Sequence, residues 1–131
     1  MCIFCSIIKK EIPAGILYED EDVIAFLDIS QVTKGHTLIV PKKHVETMLD
    51  CEEETLAHVM MLAKKIGNHL MNKLSANGMN VLSNVYQAAG QSVPHFHVHL
   101  IPRYDENDAC IIHFEESEKQ DLDALQSLLK L

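Results

Sequence analysis

The chain has few basic residues, and those few do not cluster. Its 131 residues include 11 Lys and Arg against 19 Asp and Glu, which gives a formal net charge of −8. Because binding to duplex nucleic acid needs a basic surface that neutralises phosphates, this composition argues against a nucleic-acid partner, and against anionic membrane surfaces for the same reason. Any phosphate must be bound in a small pocket by backbone N–H groups, histidines and hydroxyls.

Long apolar runs are absent as well. No run approaches the roughly 18 to 20 residues that a membrane span requires. The first ten residues, MCIFCSIIKK, place their positive charge after a short apolar stretch, whereas a secretory signal places it before. We therefore expect a cytoplasmic protein with no membrane partner.

The four cysteines are too few and too unevenly placed for a disulfide scaffold. They are Cys2, Cys5, Cys51 and Cys110. In a reducing compartment, the Cys2-x-x-Cys5 spacing is better interpreted as half of a metal site.

The chain shows no repeat and no biased tract, and its length fits a single domain with its own core. Its 47% hydrophobic and 23% charged residues are ordinary for a globular protein.

The hydrophobic pattern predicts an α+β fold. A short helix is expected over residues 3–10, and a long amphipathic helix over residues 50–74. Apolar runs bounded by Gly, Pro or acidic residues predict five strands, at residues 16–18, 23–27, 35–41 and 79–83 and in the histidine-rich segment that follows. The long helix carries one apolar stripe, formed by Leu56, Val59, Met60, Ala63, Ile66, Leu70 and Leu74.

End signals accompany the two later helices. Asp50 and Glu53 have the spacing of a capping box, and Asn77 with Gly78 predicts the end of the long helix. Ser117 followed by Gln120 predicts the start of a final helix that carries Leu122, Leu125, Leu128 and Leu129 on one face.

The segment PHFHVHLIPR, residues 94–103, holds three of the eight histidines at alternating positions. On a strand, alternation puts His95, His97 and His99 on one face and the apolar residues between them on the other, which we interpret as core. Such a triplet is poorly explained as surface decoration. Two functional interpretations remain: the triplet chelates a divalent metal, or a neutral imidazole among them attacks phosphorus.

These residues resemble the histidine triad (HIT) family of nucleotide hydrolases and transferases. HFHVHLI (95–101) matches the family motif, and FLDIS (26–30), KGHTLIVPKKH (34–44) and GQSVPHFHVHLIPR (90–103) follow in family order. CIFC, at residues 2–5, is similar to the zinc-containing bacterial, Hint-like members. The resemblance covers residues 2–104.

The resemblance implies a HIT domain over residues 1–104, with the acidic segment 105–131 belonging to the same fold or to a dimer contact. The expected architecture is a five-stranded antiparallel sheet with a short N-terminal helix, a long helix packed on one face, and a C-terminal helix. The nucleotide cleft lies on the histidine side. Family members form homodimers, so we expect one here.

The resemblance also implies roles for the catalytic residues. His97 is the expected nucleophile, His99 is expected to contact the phosphate and assist the leaving group, and Ser92 supplies a hydroxyl to the same atoms. His36 is expected to support them.

A second set of positions is expected to bind the nucleotide. Asp28 corresponds to the carboxylate that accepts both ribose hydroxyls, and Ile29 to a wall of the base or sugar. Asn84 corresponds to an amide near the phosphate, while Gly90 and Gln91, with Ser92, offer backbone N–H groups.

The expected cofactor is a structural zinc ion held by Cys2, Cys5, His44 and His95. Two thiolates and two imidazoles make a closed tetrahedral site. On this interpretation His95 is a ligand that orients the segment carrying His97.

The resulting prediction is a hydrolase or transferase that acts on the α-phosphate of purine nucleotide conjugates, such as AMP phosphoramidates, through a nucleotidyl-histidine intermediate. Dinucleoside polyphosphate hydrolysis is the alternative reaction. A non-catalytic nucleotide-binding regulatory module is the alternative from another class, and metal-dependent hydrolysis with the triad as ligands is a third.

Overall fold

A computed structural model describes all 131 residues and contains one five-stranded sheet. The strands run in the order β1-β2-β3-β5-β4, and every neighbouring pair is antiparallel. Their bounds are Ile16–Glu19 (β1), Val23–Leu27 (β2), Thr37–Pro41 (β3), Gly78–Leu82 (β4) and Val98–Arg103 (β5). The predicted α+β class and the antiparallel sheet are confirmed.

Three α-helices accompany the sheet: α1 (Ile3–Ile8), α2 (Glu53–Leu74) and α3 (Leu122–Leu129). Helix α2 covers one face of the sheet, because its buried side chains pack against inward-facing residues of β2, β3 and β5. Helix α1 packs against the opposite face, where Phe4 and Ile7 join Ile24, Phe26, Leu38 and Val40 in a second cluster. None of the helices combines the length and apolar character that crossing a membrane requires.

The start of α2 differs from the prediction. The helix begins at Glu53, and its N-cap residue, Glu52, makes no side-chain capping bond. Asp50 belongs instead to a separate 3-10 turn, Met48–Asp50, which is capped by the hydroxyl of Thr47. The predicted capping box is therefore wrong, since that turn separates Asp50 from the helix.

The end of α2 also differs. Ser75 adopts the left-handed conformation, with φ of 52°, and its N–H donates to the Met71 carbonyl. Asn77 and Gly78 lie beyond this cap: the Asn77 N–H donates to the Arg103 carbonyl, and Gly78 opens β4. These two residues pair with β5 and do not cap the helix, and the local sequence does not show that partner.

The apolar stripe of α2 is confirmed with one exchange. Met60 is 46% exposed, whereas Leu62 is buried in the core. Leu56 and Leu74 pack at the edge of the same core.

The C-terminal segment contributes almost nothing to the core. Helix α3 is capped by Asp121, whose carboxylate accepts from the Ala124 N–H, so the predicted cap at Ser117 and Gln120 is wrong. No residue of α3 is buried, and Leu122, Leu128 and Leu129 are mostly exposed.

The predicted histidine strand begins later than expected. Strand β5 starts at Val98, so only His99 of the three histidines lies within it. Upstream, the Phe96 N–H donates to the Val45 carbonyl in a loop, and the facing Pro41 has no N–H to give. The core prediction still holds, because Phe96, Val98 and Leu100 are all buried.

Candidate functional site

A cleft of about 800 Å³ opens on the sheet face opposite α2. Helix α1 and the turn before β1 form one wall, the end of β2 and the residues after it form another, and the segment 92–99 closes it. Of the residues predicted from the sequence, the cleft is lined by Asp28, Ile29, Ser92, His97 and His99. We refer to it below as the cleft.

His97 is held so that one ring nitrogen is free. Its Nδ1 lies 2.7 Å from the His95 carbonyl oxygen, which can only accept, so Nδ1 carries the proton and donates it. The Nε2 lone pair is therefore available on a side chain that lines the cleft. Burial lowers the pKa of His97, which keeps the ring neutral at physiological pH.

The backbone and ring of His97 are fixed by two further contacts. The Ser83 hydroxyl, just beyond β4, donates to the His97 carbonyl at 2.8 Å. Phe4 of α1 packs edge-on against the imidazole, with ring centroids 5.0 Å apart. Strand β4 and helix α1 together determine where this nitrogen lies.

His99 and His36 form a hydrogen-bonded pair. His36 Nε2 lies 2.9 Å from His99 Nδ1, and His36 Nδ1 accepts a long bond from the Val32 N–H at 3.5 Å. These two contacts assign the shared proton to His36 Nε2, so His99 carries its own proton on Nε2. The pair thus leaves His99 Nε2 as a hydrogen-bond donor.

Both imidazoles of this pair are neutral at physiological pH. Burial, together with the neighbouring His97 and His36, lowers the pKa of His99 to about 4. Burial also lowers the pKa of His36, although the charge of Asp28 opposes the shift.

Asp28 stands at the end of β2, beside this pair. Its Oδ2 lies 3.8 Å from His36 Nε2, and its Oδ1 accepts the Ser30 N–H at 2.8 Å. The turn after the strand leaves the next side chain, Ile29, fully exposed at the rim of the cleft.

The loop between β4 and β5 does not present all the groups expected from the sequence. The N–H groups of Gly90 and Gln91 donate to the carbonyls of Gln87 and Tyr86, so neither is free for a phosphate. The Gln91 side chain is buried and also bonds within the structure, to the Glu46 and Val93 carbonyls. In this conformation these polar groups hold the loop, and the expected role of Gly90 and Gln91 in nucleotide binding stays a prediction.

Asn84 lies at the base of the same loop. Its amide faces Gly90, where a Cβ would come within 3.6 Å of Asn84 Nδ2. Ser92, by contrast, is exposed and lines the cleft. Of this group, Ser92 is the residue that lines the cleft together with His97 and His99.

A second group of side chains brings together the four predicted zinc ligands, which we call the cysteine–histidine cluster: Cys2, Cys5, His44 and His95. Their donor atoms all lie within 4.8 Å of one another. His95 Nδ1 is 3.3 Å from Cys2 Sγ, 3.6 Å from Cys5 Sγ and 3.0 Å from His44 Nδ1. Tetrahedral zinc with bonds of about 2.0–2.3 Å separates its ligands by about 3.3–3.8 Å. The two sulfur–nitrogen distances lie in this range and the nitrogen–nitrogen distance is slightly shorter, so a small shift of the His44 ring fits the residues to this metal.

The orientation of His95 supports the same fit. Its Nε2 lies 2.8 Å from the Pro41 carbonyl oxygen and must carry the proton, which leaves the Nδ1 lone pair facing the thiols. Metal-binding histidines usually donate their second N–H in this way. Helix α1 places the cysteines three residues apart, with Cys2 at its N-cap.

The sequence does not indicate the contacts of Phe4 and Ser83 with His97, or the bonds by which the Gln91 side chain holds its loop. Phe4 lies between the two cysteines of the Cys-x-x-Cys motif. That position predicts a contact with the other expected ligand, His95, but it does not predict the contact with His97. Nothing local in the sequence indicates the Ser83 bond, because it joins residues 14 positions apart.

Comparison with known proteins agrees with this arrangement. A family model described as HIT domain matches residues 9–106. An uncharacterised HIT-like protein of Methanocaldococcus jannaschii is 45% identical over 99% of both chains. The adenosine 5'-monophosphoramidase of Saccharomyces cerevisiae is 41% identical over 98% of this chain and 78% of its own.

Solved structures show the same fold. A HIT family protein from Bacillus anthracis superposes with a TM-score of 0.91 at 44% identity, over 97% of this chain and 91% of its own. A zinc-bound histidine triad family protein from Mycobacterium smegmatis superposes with a TM-score of 0.79 at 34% identity, over 88% of this chain and 84% of its own.

Proposed function

Because the chain belongs to the HIT family, we propose that it hydrolyses purine nucleotide conjugates, such as AMP phosphoramidates, at the α-phosphate. The observation that carries this proposal is the His97 ring. Its Nδ1 is tied to the His95 carbonyl, and its Nε2 lone pair is available in a cleft large enough for a nucleotide. That is the arrangement that nucleophilic catalysis by a neutral imidazole needs.

In the first step, His97 Nε2 attacks the α-phosphorus, and the bond from phosphorus to the leaving nitrogen breaks. An anionic phosphate beside the His36–His99 pair raises the pKa of the pair, so substrate binding adds a proton, at His36 Nδ1. His99 then passes its Nε2 proton to the leaving nitrogen, while the proton between the two rings moves from His36 Nε2 to His99 Nδ1, so that both imidazoles end neutral. The Ser92 hydroxyl donates to the phosphate or to the leaving atom.

In the second step, water attacks the phosphorus of the nucleotidyl-histidine, and the P–Nε2 bond breaks. The water proton goes to His99, which is then ready for the next cycle. The nucleoside monophosphate leaves with the oxygen of the attacking water bound to its phosphorus. His97 returns to the neutral form that its burial favours.

The nucleoside is bound by residues at the end of β2, next to the His36–His99 pair. The Asp28 carboxylate accepts the ribose hydroxyls, and Ile29, exposed at the rim, lies against the base or sugar. Asn84 supports the phosphate side through the loop that it shares with Gly90. The yeast relative named adenosine 5'-monophosphoramidase supports an adenylate conjugate as substrate.

We also propose that the cysteine–histidine cluster holds one structural zinc ion, as in the zinc-containing bacterial Hint-like branch. The metal would supply a closed tetrahedral crosslink with no open position for substrate. The ligand separations and the zinc-bound mycobacterial neighbour support this assignment. Four free cysteines fit a reducing compartment, which supports a cytoplasmic location.

We further propose a homodimer in which residues 1–104 form the HIT domain and residues 105–131 contact the partner. Strand β4 is an edge of the sheet, and edges of this kind are normally covered. Val81 on that strand is 49% exposed, and Met61 of α2 is 69% exposed. The exposed apolar residues of the C-terminal segment have no contact within the chain that buries them.

The test compares two substrates on the purified protein: an AMP conjugate of an amine, and a diadenosine polyphosphate. We expect the phosphoramidate to have the higher kcat/KM. Preference for the dinucleotide would assign the alternative hydrolase reaction. Tight AMP binding with no turnover of either substrate would contradict an enzyme and indicate a nucleotide-binding module.

A further inference from the structure

Three side chains at the floor of the cleft form a cluster separate from the cysteine–histidine cluster. Asp28, His36 and His99 each direct one donor atom inward, and these atoms lie within 4.8 Å of one another. They come from three different elements: the end of β2, the residue before β3, and β5. We call this group the Asp28 cluster.

Of two donor-atom distances in the Asp28 cluster, one is shorter and one longer than the distance between ligands of a tetrahedral metal. His36 Nε2 lies 2.9 Å from His99 Nδ1 and 3.8 Å from Asp28 Oδ2. Tetrahedral ligands with bonds of about 2.0–2.1 Å stand about 3.3–3.4 Å apart, so shifts of about half an ångström bring all three into place. Two imidazoles and one carboxylate form the donor set of many open zinc and iron sites.

The donor groups are chemically ready to bind a cation. Both imidazoles are neutral because burial lowers their pKa, and the carboxylate supplies one negative charge. A single proton lies between the two facing nitrogens; when a metal ion takes its place, that proton moves to His36 Nδ1, so both rings remain neutral ligands and the long bond from the Val32 N–H is lost. Because Asp28 and His99 line the cleft, the remaining coordination positions face a space open to water or phosphate.

We propose that the Asp28 cluster is a second, weaker site for a divalent transition metal of the zinc class, and that metal and nucleotide exclude each other there. Metal binding follows from the three side chains alone. The exclusion rests on the proposed function, since it requires the nucleotide to use Asp28 and His99. A metal at this position replaces the His36–His99 hydrogen bond, so excess zinc inhibits the enzyme.

The experiment titrates ZnCl₂ by calorimetry into protein that already carries one zinc ion per chain, as verified by elemental analysis. We expect one additional site per chain with micromolar affinity. His36→Asn and Asp28→Asn should each weaken it at least tenfold, which corresponds to about 1.4 kcal/mol. The control is His58→Asn, which removes a part-buried histidine paired with Asp20 outside the cleft and should leave the affinity unchanged.

Adding AMP before the zinc titration should abolish the second site. The proposal is overturned if wild-type protein takes up no second zinc, or if the site survives in both cluster variants. It is also overturned if His58→Asn removes the site. Circular dichroism of each variant establishes that a lost site does not reflect unfolding. Zinc binding that AMP leaves intact would retain the metal site and contradict the nucleotide pocket.

Discussion

Three histidines separated by single residues have three different hydrogen-bond partners. His95 donates to the Pro41 carbonyl, His97 to the His95 carbonyl, and His99 accepts from His36. The sequence motif predicts this division of roles only through the family resemblance. Spacing alone puts all three on one face, and the tautomers depend on carbonyls that the sequence does not mark.

Two glycines with positive φ allow a matched test of backbone strain. Gly35 and Gly90 have φ of 94° and 101°, so alanine at either position costs about 1–2 kcal/mol. Only at Gly35 would the new Cβ lie 2.3 Å from a methyl of Leu74 and 3.3 Å from a Pro102 carbon. Overpacking of that kind adds roughly 1–3 kcal/mol.

We therefore expect Gly35→Ala to lower the free energy of unfolding more than Gly90→Ala, as measured by urea titration. Equal losses would show that Leu74 moves aside without cost. A larger loss for Gly90→Ala would contradict the described loop.

At the scale of elements, the strands and long helix are more predictable than their ends. The apolar residues of β2, β3 and α2 identify those elements from sequence, because a buried face imposes its period. The local sequence does not predict the start of β5, because the Phe96 N–H donates to the Val45 carbonyl in a loop and the His95 side chain donates to the Pro41 carbonyl. Ends depend on such long-range partners, which local sequence does not specify.

A hydrogen bond between His58 and Asp20 joins helix α2 to the β1–β2 turn. Burial would raise the pKa of this carboxyl, but hydrogen bonds from His58, Tyr18 and two turn N–H groups hold it below its usual value. A lowered pKa in the folded state stabilises the protein above the unfolded value near pH 4. This contribution is lost progressively as the pH falls from the unfolded pKa toward the lower folded pKa.

Asp20→Asn should thus lower the free energy of unfolding by roughly 1.5–3 kcal/mol at pH 7, and by less at pH 3. The measurement is urea unfolding at both values. Asp22→Asn, in the same turn, is the control and should have little effect. A difference that persists or grows at pH 3 would contradict the assignment of a charged Asp20.

Helix α1 has six residues, and it carries two of the four residues of the cysteine–histidine cluster at its N-terminal end. On the proposal that this cluster holds zinc, we expect Cys5→Ser to remove the metal and to lower the free energy of unfolding. The loss is about 4 kcal/mol where free zinc exceeds its Kd by about 1,000-fold. Cys51→Ser, outside the cluster, should keep one zinc per chain by elemental analysis. Loss of zinc from both variants would contradict the ligand assignment.

At the scale of the whole molecule, charge is divided between two regions. Residues 105–131 hold eight of the 19 acidic residues and two of the 11 basic ones, so this segment carries −6 of the net −8. It also exposes Ile111, Phe114 and the leucines of α3. In the proposed dimer, the partner subunit would cover this apolar surface.

Light scattering should give a mass twice the 14.8 kDa of the chain. Val81→Glu, on the free edge of β4, should shift the protein to monomer, because a charge on each copy would face its equivalent. Ile16→Glu places the same charge on the opposite edge strand, β1, and should leave the dimer intact. A monomeric wild-type protein would contradict the proposed assembly.

The central claim is that His97 forms a covalent bond to the α-phosphorus. Rapid quenching during turnover of an AMP phosphoramidate, followed by mass spectrometry of the peptide containing residues 95–99, tests it directly. We expect an acid-labile adenylate on His97, and its absence in His97→Ala together with a loss of turnover of roughly 10³-fold or more. Turnover with no adduct in the wild-type protein, or undiminished activity in His97→Ala, would contradict the account.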